Sequence, residues 1–179
     1  MTAFNRFLNE TFDKGLVGAE IGVRDGAHAL QLLASNNMEK LYLVDSFLPY
    51  QDATVRAYNE QDQKSEYQKL KKNMKPHKKK TEIMKISSKE AMGVFKENGI
   101  KLDFVYIDAN HAYENIKEDL EWWEFVKVGG VMGGHDYTKS HGCGGVILAV
   151  DEFVKEEKVE LFTEISRGTV EWAIIKTKK

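Results

Sequence analysis

Residues Val17–His28 read V-G-A-E-I-G-V-R-D-G-A-H. The run from Leu16 to Ile21 has the length and apolar character of a short strand. Gly22 and Gly26 then mark a turn, and Ala29, Leu30, Leu32 and Leu33 follow at helical spacing. A strand, a glycine-containing loop and a helix start form a unit suited to close backbone approach, because glycine has no Cβ to hold a ligand away and the first helical N–H groups are unpaired. The spacing departs from the usual dinucleotide fingerprint. G-x-G-x-x-G would put a glycine where Glu20 stands, and the pattern here is E-x-G-x-x-x-G. A pyrophosphate sits poorly beside a carboxylate, whereas a ligand carrying an amino or sulfonium group is accommodated. Asp45, nineteen residues beyond Gly26 and at the end of the apolar run Leu41 to Val44, stands where a carboxylate can accept both hydroxyls of a ribose.

On the N-terminal side of this unit, Phe4, Phe7, Leu8, Thr11 and Phe12 recur at helical spacing and stop before Gly15, which predicts an opening helix able to cap the sheet or the site. On its C-terminal side, Ser46 to Asp62 is polar, aromatic and poorly periodic, as a lid near a ligand would be. A polar helix is expected from about Asn59 to Met74, before Pro76. Glu82 to Ile86 predicts a third strand, and Ser88 is expected to cap a helix with Ala91, Met92 and Phe95 inward and Gly99 at its end. Leu102 to Asp108 is almost wholly apolar, as a strand buried on both faces should be. Tyr113, Ile116, Leu120 and Trp123 mark a helix that Gly129 and Gly130 should end. Val131 to Gly134 then leads as a strand to His135-Asp136-Tyr137, and Val146, Ile147, Val150, Phe153 and Val154 define the last helix. The closing runs Val159 to Ile165 and Thr169 to Lys176 are separated by only Ser166, Arg167 and Gly168, too few residues for a crossover, so they must pair as an antiparallel hairpin. The expectation is an α/β fold in a single domain, residues 1–179, with a doubly wound, seven-stranded, mostly parallel sheet and a C-terminal antiparallel hairpin.

Composition narrows the classes of function. A net charge of −2, with 42% apolar and 30% charged residues, fits a soluble globular protein and argues against a general nucleic-acid-binding surface. The run Lys69 to Lys80 holds seven lysines but lacks the interleaved aromatic residues of a single-strand binder, so a solvated helix end explains it. The single cysteine, Cys143, cannot form an internal disulfide, and no apolar run approaches 18 residues. With Glu10 and Asp13 among the first residues, the expectation is no signal peptide, no membrane span and a cytoplasmic location. A homodimer is compatible with the sequence, and nothing in it demonstrates one.

In doubly wound sheets ligands sit at the carboxyl ends of the strands, and four of the five parallel strand ends expected here carry polar chemistry: Gly22 to Gly26, Asp45, Asp108 with His111, and His135 with Asp136. The stretches L-D-F-V-Y-I-D-A-N-H-A-Y-E-N-I-K-E-D-L-E-W-W, Leu102 to Trp123, and V-G-G-V-M-G-G-H-D-Y, Val128 to Tyr137, are the most specific, and A-V-D-E-F at Ala149 to Phe153 accompanies them. With the glycine turn and Asp45 they resemble class I S-adenosylmethionine-dependent methyltransferases, in particular the small family that includes the macrocin-type sugar O-methyltransferases. The typical patterns of that family are I-D-G-D-H-x-Y and G-G-x-x-x-G-H-D-Y, and the likeness runs from about Val17 to Phe153.

The resemblance implies that Asp108 and Asp136, with His135 beside them, bind a divalent metal such as Mg²⁺, and that His111 is the general base. It also implies that Glu20, Gly22, Gly26, Asp45, Ser46, Ser87 and Ser88 contact S-adenosylmethionine, and that the acceptor is a small hydroxylated molecule, a sugar or a phenol. The residue chemistry agrees: carboxylates suit hard cations, and an imidazole titrating near neutrality can take a proton from a hydroxyl. Two positions depart from the family pattern. The pair Ser87-Ser88 follows the third strand where an acid often precedes the serine to meet the adenine amino group, and His28 stands where a small hydroxyl residue is common.

Structural readings stand beside these. Asp108 could cap the following helix, His111 could pack at a helix start, and His135 and Asp136 could be turn formers, with His135 facing the metal or packing behind it. Glu114 and Asp119 read as solvated helix residues, Trp122 and Trp123 as core or subunit contacts. His141-Gly-Cys143 reads as a loop at the substrate entrance in preference to a soft-metal pair. The rival functions are a nucleotide-dependent oxidoreductase on a Rossmann sheet, which Glu20 and the closing hairpin oppose, and a non-catalytic cofactor- or RNA-binding protein.

Overall fold

Seven strands line up because each apolar run long enough to cross the core is followed by a chain reversal of the expected kind. The computed structural model describes residues 2–13, 15–35, 37–51, 57–166 and 168–178. The strands are β1 (Leu16–Ile21), β2 (Met38–Val44), β3 (Thr81–Met84), β4 (Leu102–Ile107), β5 (Val126–Gly134), β6 (Leu161–Ser166) and β7 (Thr169–Ile175). Their order in the sheet is β3-β2-β1-β4-β5-β7-β6. The pairs among β1 to β5 are parallel, and β7 runs antiparallel to both β5 and β6, as the short closing connection required.

The helices are α1 (Ala3–Thr11), α2 (Ala27–Ser35), α3 (Glu60–Met74), α4 (Ser88–Glu97), α5 (Tyr113–Leu120) and α6 (Gly144–Glu157). They divide between the two faces of the sheet. Phe4, Leu8, Ala29, Leu32 and Leu70 of α1 to α3 share one core with Leu16, Phe104 and Tyr106. Ala91, Phe95, Ile116, Leu120 and Val146 of α4 to α6 share the other with Ala19, Ile21 and Val105. Winding therefore reverses at the β1–β4 pair, and the crevice at its carboxyl end is where such a sheet takes a ligand. Helix α1 caps the sheet itself: the Phe4 ring lies 4.8 Å from that of Tyr106 and 6.0 Å from that of Phe104. Among the described residues no helix is long and apolar enough to cross a membrane.

Several boundaries differ from the sequence reading, each for a local reason. Strand β2 starts at Met38, ahead of the expected Leu41, and β3 covers Thr81–Met84 where Glu82 to Ile86 was expected. The cap of α4 is Ser87, with Ser88 the first helical residue. Ser87 Oγ accepts from Glu90 N at 3.2 Å and Ser87 N donates to Glu90 Oε2 at 2.9 Å, a reciprocal box that needs an acid three residues on, and Ser88 would find Ala91 there. Gly129 and Gly130 do not end a helix. They lie inside β5, which opens at Val126 after the turn Glu121–Phe125, and they stay paired through Gly129 N to Lys176 O at 2.7 Å and Lys176 N to Gly130 O at 2.9 Å. The expected lid contains a short antiparallel pairing of Tyr50–Gln51 with Ala57–Tyr58; residues 52–56 and Arg167 lie outside the described residues.

The polar exception in β4 has a structural task. Asp103 is 5% exposed, and its Oδ2 accepts Val17 N at 2.9 Å while its Oδ1 takes Lys127 Nζ at 2.8 Å. The β1–β4 register begins at Gly18 with Phe104, so the carboxylate satisfies the strand N–H that lies before the ladder. Asp103→Ala leaves that half-buried donor unpaired and should cost about 1–3 kcal/mol. Urea unfolding should show a lower midpoint at unchanged slope; an unaltered midpoint would contradict this account of Asp103.

Candidate active site

The carboxyl ends of β1 and β4 meet at Gly22. Its φ is +85°, and a Cβ there would stand 2.3 Å from the Asp108 carbonyl oxygen, so both the conformation and the contact demand glycine. The ladder continues past the strand ends through Asp108 N to Ile21 O at 2.8 Å and Gly22 N to Val44 O at 2.9 Å. At the end of β2, Asp45 Oδ2 accepts the N–H groups of Val23 and Arg24, each at 3.0 Å, and Oδ1 accepts Phe47 N at 2.9 Å. Asp45 thus fixes the glycine loop and the segment after β2. A carboxylate has about four acceptor positions, so three backbone donors leave about one for a ligand, on Oδ1.

A cavity of about 380 Å³ opens above these strand ends, and Gly22, Asp45, Ser46, Ser87, Ser88 and Asp108 all line it. Its walls also include Asn110, Asn115, Glu118 and Asp119, which the sequence reading did not place there. Two expected contacts, Gly26 and Glu20, are not among its lining residues. Gly26 faces α3, where a Cβ would come 2.6 Å from Leu70 Cδ1, so it allows helix packing. Glu20 is 1% exposed on the α2 side of the sheet, with Oε1 at 3.3 Å from His28 Nδ1, and the His28 ring lies 4.1 Å from that of Tyr106. Burial pushes the Glu20 carboxyl up; burial would lower His28, yet the neighbouring Glu20 carries it above its ordinary value. Tyr106 in turn donates to Glu171 Oε1 at 3.0 Å, and Glu171 Oε2 accepts Phe4 N at 2.9 Å, which ties α1 to this buried polar row.

Beside the cavity stands a second cluster. Asp108 and Asp136 carboxylate oxygens and a His135 ring nitrogen lie within 4.8 Å of one another. His135 Nδ1 is 3.2 Å from Asp136 Oδ2 and 4.0 Å from Asp108 Oδ1; His111 Nε2 is 3.2 Å from Asp136 Oδ2 and 3.7 Å from Asp108 Oδ1. Adjacent ligands of an octahedral Mg²⁺ at its usual bond length are about 3 Å apart, so these donors fit a hard cation after small rotations. The helix-cap reading of Asp108 does not hold, because α5 takes Ala112 as its cap residue, without a side-chain bond. Asp136 sits at φ +56°, and its Oδ1 accepts Thr169 Oγ1 at 2.8 Å, a β7 contact that no motif in the sequence announced.

Burial alone would raise the Asp136 carboxyl, but hydrogen bonds from His135 and Thr169 and the nearby imidazoles hold it down to about 2. Burial would lower His135, and the Asp136 hydrogen bond with the Asp108 charge raises it. The buried Cys143 has its sulfur near His111 and Asp136, a softer donor set than the carboxylate group; the side chain of His141 lies outside the described residues.

Asp119 is not solvated: it is 5% exposed, burial pushes its carboxyl up to about 7, and Ser88 hydrogen-bonds to it. Trp122 and Trp123 are core residues, as read, with Nε1 of Trp122 on Ser88 Oγ at 2.8 Å and Nε1 of Trp123 on Glu157 Oε2 at 3.1 Å. The Asp136 shift carries a pH signature. Its folded value of about 2 lies below the ordinary 3.8, so its contribution to stability is complete above the ordinary value and is lost as pH falls through the folded one. Asp136→Asn should therefore lose less stability than the parent between about pH 5 and about pH 2 in urea unfolding, and its His135 should titrate lower by NMR. Equal acid sensitivity in the two proteins would contradict the assignment.

Comparison with known proteins agrees with this architecture. A family model described as a methyltransferase domain matches residues 19–137, more than half of the chain and all of the strand ends described above. No curated protein matches by sequence. Among solved structures, the calicheamicin methyltransferase CalS11 superposes with a TM-score of 0.72 at 17% identity, covering 98% of this chain and 77% of its own. An O-methyltransferase from Bacillus cereus in complex with S-adenosylhomocysteine gives 0.67 at 13%, covering 96% and 78%. An rRNA methylase from Streptococcus thermophilus gives 0.66 at 13%, covering 98% and 95%. The family match, on a seven-stranded sheet closed by an antiparallel hairpin, makes this chain a member of the methyltransferase-domain family and a class I S-adenosylmethionine-dependent methyltransferase.

Proposed function

We propose that residues 1–179 form one methyltransferase domain that methylates a hydroxyl of a small acceptor, a sugar or a phenol. In this reading Asp108, His135 and Asp136 hold a divalent cation, and the enzyme is of the macrocin type. The observation that carries it is the double position of Asp108, which lines the cavity and belongs to the carboxylate and histidine cluster. Structures of this fold include an rRNA methylase as well as small-molecule enzymes, so the fold does not choose the acceptor. The cluster supports a hydroxyl acceptor: a base and a hard-cation site next to the cofactor cavity suit a group that must lose its proton. A net charge of −2 and a lysine run confined to a solvated helix end favour a small molecule over a nucleic acid.

The chain's own residues would act as follows. Gly22, Ser46, Ser87 and Ser88 bound the cofactor, and Asp45 holds one ribose hydroxyl on its remaining Oδ1 position, not both hydroxyls. S-adenosylmethionine supplies an electrophilic methyl group, whose bond to sulfur breaks as its bond to the acceptor oxygen forms. A divalent cation at the cluster would orient the acceptor and make its hydroxyl easier to deprotonate. His111, whose Nε2 lies 3.2 Å from Asp136 Oδ2 and 3.7 Å from Asp108 Oδ1, takes the proton of the acceptor hydroxyl. Glu20 and Gly26 support the loop from beneath.

Titration calorimetry with S-adenosylhomocysteine, with NAD as control, should give binding to the former alone; the reverse preference would restore the oxidoreductase reading. Asp108→Ala should abolish methyl transfer across a panel of sugars and phenols, and should lose Mn²⁺ binding by EPR, while still binding S-adenosylhomocysteine. His111→Gln should lower turnover by about 10²–10⁴ with binding intact. Unchanged turnover in Asp108→Ala would overturn the metal-assisted mechanism.

A further inference from the structure

The wall of the cavity near the end of β3 lacks the acid expected before the α4 serines. Neither serine makes up for it. Ser87 Oγ donates to Glu90 Oε2 at 2.7 Å and accepts from Glu90 N at 3.2 Å, so it serves the helix cap. Ser88 Oγ accepts from Trp122 Nε1 at 2.8 Å and pairs with Asp119, so it too is engaged within the protein. What the wall does present is a carboxylate from another element. Asn115, Glu118 and Asp119 lie three and four residues apart on α5, and all three line the cavity. Glu118 is 40% exposed at its side chain and pairs with Lys89 at 3.6 Å, as a solvated residue does. Asp119 is 5% exposed.

Resting on the cofactor reading above, we propose that Asp119 reads the adenine base, its buried carboxylate accepting the exocyclic amino group. It would replace from α5 the acid that the end of β3 does not supply. The chemistry of the residue argues for this. A carboxylate has about four acceptor positions, and Ser88 fills one of them. Burial raises this carboxyl by disfavouring its charged form, and an N–H donor arriving in the cavity would stabilise the ionised carboxylate. Ser88, clamped by the indole of the buried Trp122, fixes the direction in which the carboxylate points. A site built this way rejects a base that lacks the donor, because the acceptor is then left unpaired.

The test compares S-adenosylhomocysteine with S-inosylhomocysteine, which carries a carbonyl oxygen in place of the amine, by titration calorimetry on the parent protein, Asp119→Ala and Asp119→Asn. The parent should prefer the adenosyl ligand by on the order of 10- to 100-fold. Asp119→Ala should bind the adenosyl ligand more weakly and lose most of that preference. Asp119→Asn, which keeps a carbonyl acceptor, should retain much of it. A parent that binds both ligands alike overturns the proposal, as does an Asp119→Ala protein that weakens both ligands equally. If Asp119→Ala does not fold, Asp119→Leu, which keeps the bulk and removes both acceptor oxygens, takes its place: a variant that retains the parent's preference overturns the proposal. A parent that binds neither ligand overturns the cofactor reading itself, an outcome distinct from loss of base preference.

Discussion

The contact on which the site depends is the approach of Gly22 to the carbonyl of Asp108. No side chain fits between them, and the ends of β1 and β4 are joined there by backbone alone. The consequence is that the loop bounding the cavity and the residue heading the polar cluster share one fixed point. Asp108 faces both because its own backbone is locked to β1 on one side and its side chain meets His111, His135 and Asp136 on the other. A sheet that reversed its winding elsewhere would separate the two.

Around that point the structure handles an unusual density of acids by giving each a different set of partners. Asp45 is tied to three backbone donors and acts first as a brace for the loop. Glu20 shares a buried pair with His28, and Asp103 closes the start of the β1–β4 ladder with Lys127. Asp136 is held ionised by His135 and Thr169. Asp108 and Asp119, by contrast, lie on the cavity wall, Asp108 beside the histidine cluster and Asp119 paired with Ser88. The distinction between acids that brace and acids that bind is thus made by hydrogen-bond partners, and residue type alone does not reveal it.

That is also why the sequence disclosed the fold more fully than the site. The limits of β1 and the closing hairpin followed from run length and from a connection too short to cross over, both local properties. The cluster at Asp108, His111, His135 and Asp136 was foreseeable because strand ends converge by topology. Glu20 was assigned to the ligand, whereas strand alternation puts it on the face of Leu16 and Gly18, under α2, where His28 reaches it. Asp119 was assigned to solvent, although it lies three residues after the buried Ile116 and beside the buried Leu120, a spacing that turns it inward. Ser87 was passed over for Ser88 because the deciding partner, Glu90, was not weighed. Thr169 reaches Asp136 only through the pairing of β7 with β5, a long-range relation with no mark in either segment.

The most direct test of a cofactor cavity joined to a cation site through Asp108 is an anomalous-difference map from a crystal grown with S-adenosylhomocysteine and Mn²⁺. The account predicts a manganese peak among Asp108, His135 and Asp136, with the ligand running from Gly22 past Asp45 to Ser88 and its sulfur turned toward the metal. Ligand density outside this cavity, or a manganese peak remote from Asp108, would contradict it.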